Sequence, residues 1–485
     1  MTILKSPIWK SVGTVLLLMT LCLWFLPAMA LIIGYVSIIL ILLVEVSTFL
    51  LGIHRNTKVS ETTIPGNPKI SVHLAIYNEP PSMVIATIEA ILDQNYPFFE
   101  LIIIDNNTKA ERLWKPVQQF CSKYEKIRFY HLNNWPNYKS GALNFARRIT
   151  DSESKYIFVV DADYILKRDA LLTAISKIGN PDLALIQFPQ SYKRTSERHI
   201  PLLEEFNYFF KYYCLSANNC LGVLATGTLS LIRIESLDSV GGWPTNSITE
   251  DAELGIRFQT SGYDIKYVDE IIGQGIAPIG QNEFVKQRKR WIYGNAQTLS
   301  HYLKFMPKNF GKWHSGFSQL TAWINFLGIP FLCIIACLLI FPLVPLAVLE
   351  KVVTLSSIAF WIYIISKLIR LILMYPRRPW LAIKILLVQF ACLNIGMFHW
   401  WPAMMGHEKP FEKTEKFEVT SPYKVQLLYP LIFMLTTLMG LYLSNIFISV
   451  SSFLLFILLI GATVFDCYSR QTDLDYTDKQ LKFTL

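Results

Sequence analysis

Three short clusters of polar residues in the middle of the chain have the types and spacing needed for chemistry on a diphosphate. The first is Asp161-Ala162-Asp163, which ends the β-rich run Tyr156–Val160. Two carboxylates one residue apart at a strand end can hold a hard divalent cation, and diphosphates are usually bound through Mg²⁺ or Mn²⁺. The pair alone is a weak signal, because any solvated strand end can carry two acids.

The second cluster is Thr249-Glu250-Asp251, which precedes a predicted helix over Ala252–Thr260. Thr249 can cap that helix, and acids in a first turn complement the helix dipole. The functional alternative makes one carboxylate a general base that takes a proton from an acceptor hydroxyl. Glu250 and Asp251 are sequence neighbours and need not face each other, so they do not resemble a glycosidase pair. We expect Asp251 to be the base.

The third cluster is Gln287-Arg288-Lys289-Arg290-Trp291. Its cations can hold a departing diphosphate, and Trp291 can stack on a sugar ring. The alternative is a basic amphipathic helix that lies on a membrane surface. The two interpretations are compatible.

The elements that must position these clusters are strands alternating with amphipathic segments between about residues 70 and 280. Helical spacing and an initial proline predict a helix over Pro81–Asp93. Such alternation predicts an α/β domain with a mainly parallel sheet, in which ligands bind at the carboxyl ends of the strands. The predicted strands are Ile70–Ile76, Leu101–Asp105, Tyr156–Val160, Leu183–Gln187 and Ile265–Val268.

Apolar runs on both sides of this domain predict a membrane protein. The chain is 52% hydrophobic and 17% charged, whereas about a quarter of the residues of a soluble protein are charged. Each run can span a hydrocarbon core, which needs ~20 helical residues. Six spans are predicted, near 11–29, 31–52, 317–341, 346–373, 426–446 and 448–467. The stretch 380–402 contains Lys384, Gln389 and Asn394 and suits a helix at the interface.

Charged loops predict the orientation of these spans. The net charge is +9, but many cations flank the apolar runs, as in Arg377-Arg378. This placement fits membrane topology better than nucleic-acid binding, and it predicts a cytosolic α/β domain and cytosolic termini. A signal peptide over the first run is the alternative, because Ala28-Met29-Ala30 resembles a cleavage site. The eight scattered cysteines indicate neither a zinc site nor a disulfide framework.

These patterns divide the chain into seven predicted regions: two spans over 1–55, the α/β domain over 56–280, interfacial amphipathic helices over 281–315, two spans over 316–374, an interfacial helix and a loop over 375–424, two spans over 425–470 and a short tail over 471–485.

Taken in order, the motifs resemble those of processive family 2 membrane glycosyltransferases, which include cellulose, hyaluronan, chitin and β-glucan synthases. The series runs through Tyr77-Asn78-Glu79, Asp105, Lys139-Ser140-Gly141-Ala142-Leu143-Asn144, the D-A-D, the T-E-D, the Q-R-K-R-W and Phe417-Glu418-Val419-Thr420. It covers about residues 70–425. Asp105-Asn106-Asn107-Thr108 replaces the D-D-G-S of many members and looks more like bacterial β-glucan synthases.

The resemblance implies a GT-A-like fold and an inverting transferase that uses a UDP-sugar, with UDP-glucose the first choice, together with Mg²⁺ or Mn²⁺. It assigns Asp251 as the base, with Glu250 beside it, and Asp163, together with Asp161, as metal ligands. It implies an acceptor polysaccharide that crosses the membrane, and a plasma-membrane location. The residues assigned to the nucleotide are Tyr77, Glu79, Asp105, Lys139, Asp161, Arg288, Arg290 and Thr420, and those assigned to the acceptor are Gln287 and Trp291.

Two other functions stay open at this level. One is a non-processive transferase that adds a single sugar to a lipid carrier, and the other is a transporter with a degenerate α/β domain. Phe417–Thr420 resembles a loop that closes over the nucleotide, although it can also be an inert surface loop. The sequence identifies no accessory export subunit, and the short tail predicts no cyclic-dinucleotide sensor after the last span.

Overall fold

The computed structural model describes residues 7–53, 66–193, 200–277, 280–303, 309–341, 343–407 and 427–470. The predicted mainly parallel sheet is present, with seven strands in the order β3-β2-β1-β4-β8-β6-β9. The neighbours β3, β2, β1 and β4 are parallel, as are β6 and β9, while β8 runs antiparallel to β4 and β6. These strands are β1 Ile70–Ile76, β2 Phe99–Asn106, β3 Ile127–Leu132, β4 Tyr156–Asp161, β6 Leu183–Gln187, β8 Ser230–Arg233 and β9 Asp264–Tyr267. All five predicted strands are therefore confirmed to within two residues at each end.

The central strands form because their apolar runs are covered on both faces. Every residue of β2 is buried, and so is nearly every residue of β1 and β4. Parallel strands that are buried on both faces have continuous hydrophobic sequences rather than alternating ones, which explains why these strands were visible in the sequence.

Short helices flank the sheet. The predicted helix after β1 is confirmed as Pro81–Leu92, with proline at its first position, where the missing N–H costs nothing. The helices of this domain are α3 Pro81–Leu92, α4 Glu111–Cys121, α5 Tyr138–Ile149, α6 Ala170–Lys177, α7 Ile200–Tyr208, α8 Leu215–Ala217, α9 Ile234–Ser239 and α10 Glu250–Thr260; a π-helix, Phe209–Cys214, separates α7 from α8, and a 3₁₀ turn follows at Asn218–Cys220.

Several strands lacked a sequence signal. The strand β3 mixes Arg128 and His131 with apolar residues, and β8 has only four residues. A second sheet, in the order β5-β10-β7, consists of strands of two or three residues, β5 Tyr164–Leu166, β7 Ser191–Tyr192 and β10 Gly273–Gly275. Strands this short give no periodicity to detect.

Several of the helices on either side of the α/β domain are long and apolar. Four helices in the described ranges are long and apolar enough to cross a membrane, or five if the bent pair Pro379–Ala391 and Leu393–Met404 counts as one span. The helices are α1 Pro7–Phe25, α2 Pro27–Ile53, α11 Gly280–Tyr302, α12 Phe310–Leu320, α13 Gly328–Leu339, α14 Leu346–Met374, α15 Pro379–Ala391, α16 Leu393–Phe398, α17 Trp401–Met404, α18 Leu428–Tyr442 and α19 Ile446–Arg470.

The predicted span 317–341 is not a single helix. The helix α12 ends at Leu320, and α13 begins only at Gly328 and has 12 residues. Asn325 holds the intervening turn: its amide donates to the Leu393 carbonyl at 2.9 Å, and its side-chain oxygen accepts from the Leu327 N–H. A polar residue that satisfies the backbone at a break replaces the continuous helix that hydropathy predicts. The helix α18 is also short, with 15 residues.

The α/β domain and the apolar helices share one core. A single cluster of buried residues runs from Ile157 on β4 through Phe210 on the π-helix to Phe331 and Phe433 on the apolar helices. Direct hydrogen bonds reinforce the contact, because the Tyr212 hydroxyl donates to the Thr48 carbonyl of α2 at 3.0 Å. The aromatic π-helix is therefore the packing bridge between the two parts.

Gly141 has no room for a side chain, because a Cβ atom there would lie 1.9 Å from the Pro136 carbonyl oxygen. We expect Gly141→Ala to destabilise the protein by about 1–3 kcal/mol through overpacking. Gly461→Ala is the control: nothing lies within 4 Å of its Cβ position, so the substitution should be neutral or slightly stabilising. Thermal unfolding in detergent measures both. Equal melting temperatures for the two variants would contradict the steric argument.

Candidate active site

A cavity of about 320 Å³ lies at the carboxyl edge of the main sheet. Most of the predicted site residues line it, and they come from five separate stretches of the chain. They are Tyr77, Glu79, Lys139, Asp161, Asp163, Glu250, Asp251, Gln287, Arg290 and Trp291. We call this cavity the cleft.

Strand register brings the first of these residues together. Ala75 of β1 pairs with Asp161 of β4, and Ile76 pairs with Asp105 of β2. The residues that follow β1 and β4 therefore emerge side by side, with Tyr77 more than 40% exposed and Asp163 buried. This is the edge at which open α/β sheets bind ligands.

Lys139 ties the strand edge to the loop before β8. Its ammonium donates to Asp161 Oδ1 at 2.5 Å and to the Gly227 carbonyl at 2.7 Å. Burial by itself would lower the pKa of Lys139, but the negative charges of Asp161 and Glu250 outweigh it, so the pKa lies above its ordinary value. Lys139 therefore stays a cation and compensates the carboxylates around it.

The T-E-D cluster sits at the start of α10. Thr249 occupies the cap position, but its side chain makes no capping hydrogen bond; its hydroxyl lies 3.1 Å from Ser247 Oγ. The two acids occupy the first turn and both reach the cleft. A Cβ atom on Gly227, whose φ is +82°, would lie 2.9 Å from Asp251 Oδ2. Glycine is thus required both for the backbone conformation and for the approach of this carboxylate.

Asp251 also borders a second cavity, of about 60 Å³, whose lining includes several aromatic side chains. We call it the aromatic cavity. Its rings include Phe206, Phe209, Trp291 and Trp323, and Trp323 stacks on Phe209 with ring centroids 4.5 Å apart. Glu250 lines the cleft but not the aromatic cavity. Asp251 is therefore the acid of the pair that stands where two compartments meet.

The two acids differ in their electrostatic environment. Burial raises the pKa of Glu250 to about 7, and the charge of Asp251 adds to this effect. Burial also raises the pKa of Asp251, but a hydrogen bond from the Ala252 backbone and the charge of Lys139 oppose it. Asp251 is thus the better candidate for a carboxylate that is ionised before it accepts a proton.

The Q-R-K-R-W sequence lies within α11, and helix geometry divides it between two faces. Gln287, Arg290 and Trp291 are spaced i, i+3 and i+4, share one face, and line the cleft. Arg288 does not share this face with Arg290, because residues two positions apart on a helix are rotated by about 200° about its axis. The structure therefore does not support the predicted contact of Arg288 with the nucleotide. Arg288 pairs with Glu205 in the interior, and its guanidinium lies 4.8–5.0 Å from the ring centroids of Phe206, Phe284, Trp291 and Trp323.

Asp105 is also not on the surface of the cleft, although the sequence assigned it to the nucleotide. It is 1% exposed and is not among the residues that line the cavity. Its oxygens accept from Thr108 Oγ1 at 2.6 Å and contact His131 Nδ1 at 2.5 Å. Burial raises the pKa of Asp105 against these two hydrogen bonds. Asp105 therefore lies behind the residues that line the cleft and is held there by its contacts with Thr108 and His131.

Sequence reasoning missed several residues that line the cleft. They are Asn106, Asn107, Tyr138, Gln190 and Tyr192. Asn107 and Tyr138 have positive φ angles, and this conformation is uncommon for residues with a side chain and clusters at functional sites. The two asparagines directly follow Asp105, which is the one signal that the sequence offered. Thr420 and the rest of Phe417–Thr420 lie outside the described residues.

The acids of the D-A-D motif fit a divalent cation. Both line the cleft and offer carboxylate oxygens, which Mg²⁺ and Mn²⁺ prefer, and Mg²⁺ is commonly held by one or two carboxylates together with substrate phosphates. No group of three or more His, Cys, Asp or Glu side chains within the described ranges is arranged to hold a metal by itself. Asp161 also accepts a hydrogen bond from Lys139, and Asp163 and Asp161 together are the candidate ligands.

Comparisons with known proteins agree with this geometry. Residues 156–375 match the family described as glycosyl transferase family group 2. The chain is 27% identical over 289 residues to a cellulose synthase catalytic subunit [UDP-forming] of Pseudomonas fluorescens (strain SBW25), covering 57% of this chain and 38% of that protein. It is 25% identical over 257 residues to the probable glucomannan 4-beta-mannosyltransferase 14 of Arabidopsis thaliana, covering 50% and 48%. The chain thus spans less than half the length of these relatives.

A solved structure shares the fold. It is the mannosyltransferase PcManGT from Pyrobaculum calidifontis in complex with GDP-Man and Mn²⁺, with a TM-score of 0.50 and 16% sequence identity. The similarity covers 77% of this chain and 99% of that one. At this identity the likeness concerns the fold alone, and it confirms the expected GT-A-like architecture.

The raised pKa of Glu250 predicts a pH-dependent stability. Because its pKa is about 7 in the folded protein and 4.5 ordinarily, the folded state binds more protons between those values, and stability should fall as pH rises through about 7. Glu250→Gln should therefore lose less thermal stability than the wild type between about pH 5.5 and about pH 8.5. The exposed Glu125→Gln is the control and should follow the wild type. Parallel melting curves for Glu250→Gln and the wild type would exclude a buried, protonated Glu250.

Proposed function

We propose that the family 2 glycosyltransferase domain of this chain, a relative of cellulose synthases and mannosyltransferases, transfers a hexose from a nucleotide-activated donor to a β-linked glycan acceptor. The observation that carries the proposal is the position of Asp251 between the cleft and the aromatic cavity. A donor in the cleft and an acceptor sugar in the aromatic cavity then meet at this carboxylate.

In this mechanism the acceptor hydroxyl gives its proton to Asp251 as the hydroxyl oxygen bonds to the anomeric carbon of the donor. The bond from that carbon to the diphosphate breaks at the same time, so a single displacement inverts an α-linked donor into a β-linkage. Sugar rings have apolar faces, and Trp291 and Trp323 are the side chains of the aromatic cavity that we propose contact them.

The leaving diphosphate carries developing negative charge. Arg290 faces the cleft, and a preorganised cation aimed at developing charge stabilises the transition state. When bound by Asp163 and Asp161, a divalent cation supplies further charge neutralisation at the diphosphate. Lys139 holds Asp161 in place for this role. Tyr77, Asn107 and Tyr138 form the part of the cleft wall proposed to receive the nucleoside.

The donor proposed first is UDP-glucose, because one of the relatives is a UDP-forming cellulose synthase. The mannosyltransferase relatives, and the GDP-Man complex of the structural neighbour, favour GDP-mannose as the second candidate. Processive synthesis and passage of the polymer across the membrane are part of the proposal and are supported by the core that the domain shares with the apolar helices. We place the domain on the cytosolic side of the bacterial inner membrane, because Arg377-Arg378 follow the end of α14 that contacts the domain through Tyr375 and Glu204.

The test is to offer purified protein in liposomes UDP-glucose and GDP-mannose, each with Mg²⁺ or Mn²⁺. Nucleotide release, product length and linkage are then measured. We expect one donor to give β-linked product, and Asp251→Asn to lower its formation about 10²–10⁴-fold while donor binding stays nearly intact. The exposed Asp182→Asn should behave as the wild type. Full product formation by Asp251→Asn would refute the assignment of the base.

The metal assignment has a separate test. Calorimetry should show that Mn²⁺ increases the affinity of the wild type for the nucleoside diphosphate of the active donor. Asp163→Ala should remove at least about tenfold of that increase, since disturbing a metal site typically costs 10–100-fold. Asp182→Ala is the matched control. The metal role fails if the affinity is the same with and without Mn²⁺ in all three proteins.

A further inference from the structure

A cavity of about 50 Å³, lined by both polar and apolar side chains, lies against a different face of α11 from the cleft. We call it the cationic cavity. Phe284, Arg288 and Ile292, one helical turn apart, line it from α11, and Lys367 of α14 and Gln389 of α15 line it from the apolar helices. A buried water needs roughly 10–15 Å³, so this cavity has room for a small polar group.

The cationic cavity is lined by two cations, Arg288 and Lys367, and by one carboxylate, Glu205, so its lining carries one positive charge in excess. Arg288 pairs with Glu205, and Arg370, on the same helix as Lys367, pairs with Glu45 at 2.6 Å. Lys367 is only 7% exposed and makes no ion pair within the part of the chain that the structure describes. Its ammonium lies 5.2 Å from the centroid of the Tyr363 ring.

Burying an ion costs several kcal/mol unless a partner compensates it. Ionisable residues inside apolar helices are accordingly rare and usually mark a binding site or an ion path.

Other polar atoms around the cavity also lack partners. Nε and Nη1 of Arg288 and Oε1 of Gln389 are buried and make no hydrogen bond within the described residues. The Gln389 amide can be turned to present its NH₂ group instead, because the oxygen and nitrogen of an amide are assigned from their surroundings. Together these groups offer several donors to one anion.

The position of the cationic cavity relates it to the acceptor. It shares Phe209 and Trp323 with the aromatic cavity, which in turn contains Asp251. If an acceptor sugar contacts Trp291 and Trp323, a group attached to that sugar can extend past Trp323 toward Lys367.

The depth of Lys367 favours a lipid phosphate over an acidic glycan. Lys367 is seven residues before Met374, the last residue of α14, which is ~10 Å at 1.5 Å per residue. That end lies beside the catalytic domain, because the Tyr375 hydroxyl donates to Glu204 of α7 at 2.6 Å. A 29-residue helix is ~43 Å long, and the hydrocarbon core is ~30 Å thick. Lys367 thus lies close to the boundary at which lipid phosphates sit.

We propose that the cationic cavity binds the phosphate of a lipid-linked priming acceptor, with Lys367 as its counter-ion and Arg288 and Gln389 as further donors. The proposal rests on the proposed function, because it names the anionic group of the acceptor on which that function acts. No bond is made or broken at the cavity; it holds the acceptor so that the sugar hydroxyl faces Asp251.

The experiment compares polyprenyl phosphate with polyprenol, which has the same tail and no phosphate, by native mass spectrometry of the full-length protein in detergent. We expect the wild type to retain polyprenyl phosphate at least about tenfold better than polyprenol, a difference equivalent to about 1.4 kcal/mol. Lys367→Met should abolish this preference, and Lys367→Arg should keep it. Lys384→Met, an exposed lysine of the neighbouring helix α15, is the matched control and should also keep it.

Several results would overturn the proposal. They are equal retention of both lipids by the wild type, an unchanged preference in Lys367→Met, competition by inorganic phosphate as strong as by polyprenyl phosphate, and competition by a glucuronate oligosaccharide but not by the lipid. Thermal unfolding supplies an independent readout. Lys367→Met should melt no lower than the wild type, because it removes an uncompensated buried charge. If Lys367 instead formed a structural ion pair, its removal would lower the melting temperature.

Donor binding separates this proposal from the previous one. Lys367→Met should bind the nucleotide donor as tightly as the wild type, because the cleft lies on the other face of α11. If the wild type itself bound no nucleotide sugar, the proposed function would fail, whatever the outcome of the lipid experiment.

Discussion

Carboxylates crowd one end of the sheet, and the arrangement of the site depends on how their charge is compensated. Asp161, Asp163, Glu250 and Asp251 all line the cleft. Lys139 bonds directly to Asp161, and its pKa responds to the charges of Glu250 and Asp251 as well. Through the Gly227 carbonyl the same ammonium also fixes the loop against which Asp251 packs. One half-buried cation therefore links the acids of the strand edge to the acids of α10.

The position of the site relative to the apolar helices is fixed by a shared core. Sheet residues such as Ile157 and helix residues such as Phe433 belong to one continuous core, with the aromatic π-helix Phe209–Cys214 between them. A π-helix is rare and frequently marks a functional site. Here it presents Phe209 to Trp323 in the aromatic cavity. The element that joins the two parts of the molecule thus also forms a wall of the space proposed for the acceptor.

The fold was predictable where burial leaves a pattern in the sequence. The strands β1, β2 and β4 are buried on both faces, so their hydrophobic runs and the polar residues after them revealed the sheet and its functional edge. The pairing of Lys139 with Asp161 and the burial of Asp105 behind the wall depend on tertiary contacts, and no local pattern encodes them. The turn at Asn325 escaped prediction because one asparagine scarcely alters the mean hydropathy of 317–341, although its hydrogen bonds break the helix.

The helix α11 is a partition with a different chemistry on each side. Gln287, Arg290 and Trp291 face the cleft, while Phe284, Arg288 and Ile292 face the cationic cavity. Each residue turns the helix by about 100°, so the position of a residue in the sequence decides the side of the helix on which its side chain lies. Removing one residue from the first turns of α11 would turn the rest of the helix by about 100°, so that Arg288 would take the place of Gln287 on the cleft and Arg290 would take the place of Lys289, which lines neither cavity. The number of residues in α11 therefore decides which of its side chains line the cleft and which line the cationic cavity.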